Sequence, residues 1–168
     1  MCCNYKDQLS DEVRTQLQKG DNCFYKVWEI SDTALFRADC DPIIKTIYKN
    51  EPLHINDRNE IFSDRKTKDV TDAEQLKGEI NYGIHVFRDS AFARRTANCS
   101  INRFIVPVYG ELEDFVAADS TSVVFIKIKV KKEDLIKALG EVFDFRTDFI
   151  REKLNEVLER AYEEPVPA

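Results

Sequence analysis

NRFIVPVYGELEDFVAADSTSVVFIKIKV, residues 102–130, is the stretch on which the fold turns. Three apolar, β-branched runs follow one another: NRFIVPVYG (102–110), DFVAA (114–118) and SVVFIKIKV (122–130). Parallel neighbours need a crossover of about a dozen residues or more, so strands joined this closely can pair only antiparallel. Pro107 cannot donate to a ladder, which predicts that its strand lies at an edge or carries a bulge.

Working outward, CFYKVWEI (23–30) and DPIIKTIYKN (41–50) read as further strands, the first followed by a turn at SDTA. In NYGIHVFRDSAFARR (81–95) an apolar strand carrying His85 passes at once into a helix. SDEVRTQLQK (10–19) has a Ser cap, acids in its first turn and Gly20 at its end, with Leu9, Val13 and Leu17 spaced four apart. KKEDLIKAL (131–139) stops at Gly140. Thr147 is placed to cap a last helix whose stripe is Phe149, Leu154, Val157, Leu158 and Ala161. These elements predict an α+β fold: one domain over residues 1–162, a mainly antiparallel sheet flanked by N-terminal, central and C-terminal helices, and a frayed tail at 163–168. Residues 51–79 read as a long, charge-dense connection with a short helix near TDAEQLK, a candidate lid or partner-binding segment and the most mobile internal stretch.

Composition bounds the function. The chain has 168 residues, is 43% hydrophobic and carries eleven Phe, enough for a packed core without staples. Net charge is -6 with the basic residues dispersed, which argues against a broad grip on nucleic acid. The densest positive run, KIKVKK, would put Lys127, Lys129 and Lys131 on one solvated strand face. No run approaches the roughly 20 apolar residues of a membrane helix, and MCCNYKDQLSDE lacks the basic and apolar regions of a signal peptide; a cytoplasmic protein without a membrane span is expected. Five cysteines without CxxC spacing predict free thiols and no metal site.

Spacing removes several chemistries. The glycines at 20, 78, 83, 110 and 140 cannot build a phosphate loop, and the two histidines, His54 and His85, form neither HExxH nor paired HxT or HxS motifs. Cys40 or Cys99 could be written beside either histidine, but nothing local favours one pairing. Along YGIHVFR, Ile84 and Val86 share one face while Gly83, His85 and Phe87 share the other, the pattern of a doubly covered strand. A histidine there reads first as a neutral, hydrogen-bonded core residue; its functional reading is that Gly83 leaves a gap beside the imidazole for a ligand ring.

Three pieces, FYKVWEI, YGIHVFRDSAFA and EDFVAADSTSVVFIKIKVKKEDL, resemble small uncharacterised domains of phages and large DNA viruses that carry a G-[IL]-H-[VF]-F strand followed by an Ala-containing helix. That likeness spans about residues 23–139 and implies a viral or mobile-element origin. The unit Gly83-Ile84-His85-Val86-Phe87, with Ser90 and Ala91, is also similar to the second motif of ADP-ribosyltransferases. By that resemblance Gly83 would let NAD approach the backbone, His85 would stack on or bond the nicotinamide, and Ser90 or Ala91 would open the helix. The opening strand lacks the HG or RG of that family, and the late acid could be Glu111, Glu113 or Glu133. The candidate ligand-binding set is therefore His85, Gly83, Phe87, Ser90, Tyr25 and Glu113. The leading expectation is a non-enzymatic binding module, without cofactor, that takes a host protein or a nucleotide-like small molecule; the alternative is an NAD-using ADP-ribosyltransferase-like enzyme.

Overall fold

Residues 23–30 alternate between two apolar environments, and that alternation organises the molecule. In the computed structural model, which describes residues 3–4, 6–31, 43–63, 79–80, 82–142 and 148–163, they form strand β2 (Cys23–Ile30). Phe24, Trp28 and Ile30 enter the main core, whereas Val27, with Tyr25 beside it, enters a second cluster beneath a helix.

In chain order the other elements are β1 (Cys3–Asn4), α1 (Asp7–Gln18), β3 (Ile44–Thr46), β4 (Glu60–Phe62), β5 (Glu79–Ile80), β6 (Ile84–Phe87), α2 (Ser90–Ala97), β7 (Arg103–Tyr109), β8 (Phe115–Ala118), β9 (Ser122–Phe125), β10 (Lys127–Lys129), α3 (Lys132–Val142) and α4 (Asp148–Ala161). Among the described residues eight strands make one antiparallel sheet in the order β4-β10-β7-β2-β6-β9-β8, with β3 also on β2, while β1 and β5 form a separate ladder. The fold is α+β. Helix α1 packs on β8, α2 on β2 and β7, and α3 on β7.

The run 122–130 is two strands, not one. β9 pairs with β6 and β8, and β10 pairs with β4 and β7. The two lie four positions apart in the sheet order although only Ile126 separates them in the chain. A flat sheet would hold them about 19 Å apart, and two residues reach about 7 Å. The sheet must therefore curl until its two halves meet. At the joint Ile126 N–H donates to the Asp114 carbonyl at 2.9 Å, and the Ile126 carbonyl accepts from Ser63 N–H at 2.9 Å. Gly110 makes the closure possible, because a Cβ there would overlap the Phe125 ring.

Several expectations change. β7 is not an edge: it lies between β2 and β10 but meets β10 only at Tyr109↔Lys129, so Pro107 interrupts no ladder on that flank. Ser10 is no cap. The helix begins at Asp7 after Lys6, and the buried Ser10 hydroxyl accepts from Ala118 N–H at 3.0 Å and donates to the Ala118 carbonyl, tying α1 to β8. α3 continues through Gly140 to Val142. Residues 51–63 are not a free connection: Leu53 and Ile55 are buried, β4 joins the sheet, and Ile55 N–H donates to the Ala161 carbonyl at 2.7 Å. Charged residues on either side, Glu51, Asp57 and Arg58, obscure this alternation in the sequence. Of the last helix's stripe, Leu154, Val157, Leu158 and Ala161 are buried in the main core. The helix near TDAEQLK, the Thr147 cap, the Phe149 side chain and residues 164–168 lie outside the described residues.

Candidate functional site

β2 has two edges, and β7 occupies one of them from Cys23 to Glu29. The other is shared: β6 meets it at Tyr25↔Phe87, and β3 meets it from Trp28 to Ile30. Between these two partners the ladder forks. A cleft of about 640 Å³ opens there, lined by Lys26, Trp28, Ile128, Gly83 and the first two residues of β6, Ile84 and His85, and by residues 46–63 folding back from β3 to β4.

Lys26 stands at the fork. It lies between Phe24 and Trp28 in the alternation, so it occupies a core-facing position on β2. Its Nζ donates to the His85 carbonyl at 2.8 Å, taking an acceptor left open where β6 parts from β2. No carboxylate pairs with it among the described residues. Burial, and then the Lys49 ammonium, push the Lys26 amine down to about 8, against a smaller pull from Glu51. The side chain keeps some surface, yet that surface faces a confined apolar cleft, so burial remains the dominant cause.

The rim is aromatic and polar. Tyr48 and Phe62 are 53% and 60% exposed, unusual for side chains of this size, and both border the cleft with Lys49, Glu51 and His54. Glu60 is internally committed: Asn56 Nδ2 donates to one oxygen at 3.2 Å, and Lys127 Nζ approaches the other at 3.2 Å. Lys127 also approaches Asp114 at 3.8 Å and lies over the Phe62 ring, while Lys131 lies over Tyr109. The three lysines of KIKVKK share the outward side of the alternation, with Ile128 and Val130 buried between them, but Lys127 is drawn into these contacts and is only partly exposed.

The sequence-derived candidates disperse. Gly83 and His85 border the cleft. The His85 imidazole is buried, with Nε2 2.9 Å from the Ile80 carbonyl; burial lowers its pKa and the Ile80 bond opposes that shift. Gly83 has φ +80°, and the space a Cβ would take is filled by Val124 Cγ1 and the Phe125 carbonyl, so the expected gap beside the imidazole is closed by β9. Phe87 packs with Val27, Ala93 and Ala97. Tyr25 and Ser90 border a different recess of about 770 Å³ between α2 and α3, where Arg103 is already bonded to the Thr96 carbonyl. Ser90 opens α2 one residue after its cap, Asp89, whose carboxylate accepts from Phe92 N–H at 3.1 Å. Glu113 is exposed on a short 3-10 turn, Leu112–Asp114.

Lys26 was missed. Its signal was present: a lone lysine between Phe24 and Trp28 in an alternating strand occupies a core-facing position.

Among the described residues no three His, Cys, Asp or Glu side chains gather to hold a metal ion, and no helix is long and apolar enough to cross a membrane. Comparison of the chain with protein-family models, with curated proteins and with solved structures finds no match.

Proposed function

We propose that the protein is a small-molecule-binding module whose cleft at the β2 fork takes an amphipathic anion of roughly nucleotide size. The observation that carries this reading is Lys26, an ammonium on a core-facing position with a carbonyl as its partner and an open cleft beside it. A buried cation without a counter-ion is costly, and an incoming carboxylate or phosphate would relieve that cost. Tyr48 and Phe62 supply apolar wall for a ring, and about 640 Å³ falls in the range of small-ligand sites. Of the two partner classes suggested by the sequence, a host protein and a nucleotide-like molecule, these dimensions favour the second.

The ADP-ribosyltransferase-like reading draws support from Gly83 and His85 bordering the same cleft. It is weakened by Tyr25 and Ser90 bordering the other recess. NAD therefore belongs in the same test as a ligand. Thermal unfolding is measured with AMP, NAD, ADP-ribose and simple aromatic carboxylates. A ligand present at 100 times its Kd raises stability by about 2.7 kcal/mol. At least one anion stabilises the wild type and not Lys26→Met; equal stabilisation of both would remove the cleft from the explanation.

A further inference from the structure

We propose that Lys26 is a reactive amine that captures a small anionic aldehyde or ketone in the cleft as an imine. This deepens the binding reading above and rests on it. The geometry meets the needs of such a step. Nζ lies at the fork with one hydrogen directed to the His85 carbonyl at 2.8 Å, and the cleft lies on its open side. No acid shares a salt bridge with it among the described residues to hold it permanently protonated. Lys49 borders the same space as a cation for the ligand's anionic group, and the exposed rings of Tyr48 and Phe62 offer faces for its apolar body.

With the amine at about 8, roughly one Lys26 side chain in ten is neutral at pH 7, against about three in ten thousand for an ordinary lysine. Only the neutral form has a lone pair to give. The lone pair attacks the carbonyl carbon as the C=O pair moves onto oxygen, and a proton passes from nitrogen to that oxygen to give a carbinolamine. The hydroxyl then takes a proton from solvent and leaves as water while the nitrogen lone pair forms C=N. Amine, carbonyl and one proton become iminium and water, with no oxidant or reductant. The iminium keeps one N–H, which can go on donating to the His85 carbonyl, so the product stays in the hydrogen bond that positioned the reactant.

The test uses 4-carboxybenzaldehyde, with 4-carboxybenzyl alcohol as a counterpart that can bind but not condense. Binding of either is read from the fluorescence of Trp28, the single tryptophan of the chain. Adducts are trapped with sodium cyanoborohydride and mapped by peptide mass spectrometry. The expected result is one saturable adduct at Lys26, formed at pH 7 about tenfold or more faster than at any other lysine, and slowed by the alcohol. Lys26→Arg keeps a cation without a nucleophilic amine and loses the adduct; Lys26→Gln serves the same purpose if circular dichroism finds the arginine variant misfolded. Labelling spread over surface lysines such as Lys129 and Lys137 at rates comparable with Lys26 overturns the proposal. If both probes bind and no adduct is trapped, the imine falls and the binding reading stands. If neither binds, both fall together.

Discussion

Replacing Lys26 by methionine separates the effects of its charge from those of its packing. Holding the amine at about 8 in the folded chain, against 10.5 for an ordinary lysine, means that the charged form opposes folding by about 3 kcal/mol when it is fully protonated. Lys26→Met removes that cost but leaves the His85 carbonyl without its donor, a loss of about 1–3 kcal/mol. At pH 7 the variant should therefore be as stable as the wild type or up to about 2 kcal/mol more stable. The pH dependence is the sharper test. Because the folded value is depressed, the unfolded chain binds more protons between about pH 8 and 10.5, and wild-type stability rises with pH across that window. Between pH 7 and pH 9 the Lys26 contribution should rise by about 1 kcal/mol. Urea unfolding of both proteins at the two pH values, with the difference taken at each pH, cancels groups that titrate alike in both. Parallel curves would refute the reasoning: the Lys26 amine would then titrate like a solvated one, and both its ligand preference and its reactivity would lose their basis.

Two other substitutions test the frame around the cleft. Gly110→Ala should destabilise by about 1–3 kcal/mol, because its methyl meets the Phe125 ring, and that ring is fixed against Phe24 and Phe115 at centroid distances of 5.4 and 6.1 Å; a urea midpoint within error of the wild type would show that the sheet closure has slack. At Asp119, burial alone would raise the carboxyl, but backbone N–H donors from Ser122, Thr121 and Asn4 and the Ser122 hydroxyl outweigh it and hold the pKa below its usual value. The stability it supplies is present above the ordinary value of about 3.8 and is lost as pH falls through the folded one, so Asp119→Ala should be less stable at pH 7 by about 1–3 kcal/mol and should lose less on acidification. An unchanged acid slope would assign that slope to other carboxylates.

The α+β class was legible because its signals are local. Period-two alternation in FYKVWEI and the short connections after residues 110 and 118 leave antiparallel strands as the consistent reading. The curl was not legible, since it depends on a break at Ile126 inside an unbroken β-branched run, and on Asp114 and Ser63 taking that residue's backbone bonds from far along the chain. Ser10 misled for a related reason. A serine among acids at a helix start has the composition of a cap, but its hydroxyl satisfies the end of β8, 108 residues away. Within 51–79, whose charge density gives the pattern of a loop, Leu53 and Ile55 are the two apolar positions that fasten the cleft wall to the core.

The candidate site follows the same division between local pattern and long-range pairing. His85 drew notice for a side chain that can do chemistry, and its imidazole is turned to the Ile80 carbonyl inside the protein. What it offers the cleft is its own carbonyl, freed where β6 leaves β2 and taken up by Lys26. Any residue could supply that oxygen, so no reading of residue types could assign it. The lysine is different, because its amine brings a charged hydrogen-bond donor to the fork when protonated and a nucleophilic lone pair when neutral. Sequence thus drew attention to the strand junction that borders the cleft, through the imidazole rather than the backbone carbonyl. The proposed role of the junction rests on β2, where one lysine replaces an apolar residue in an otherwise regular alternation.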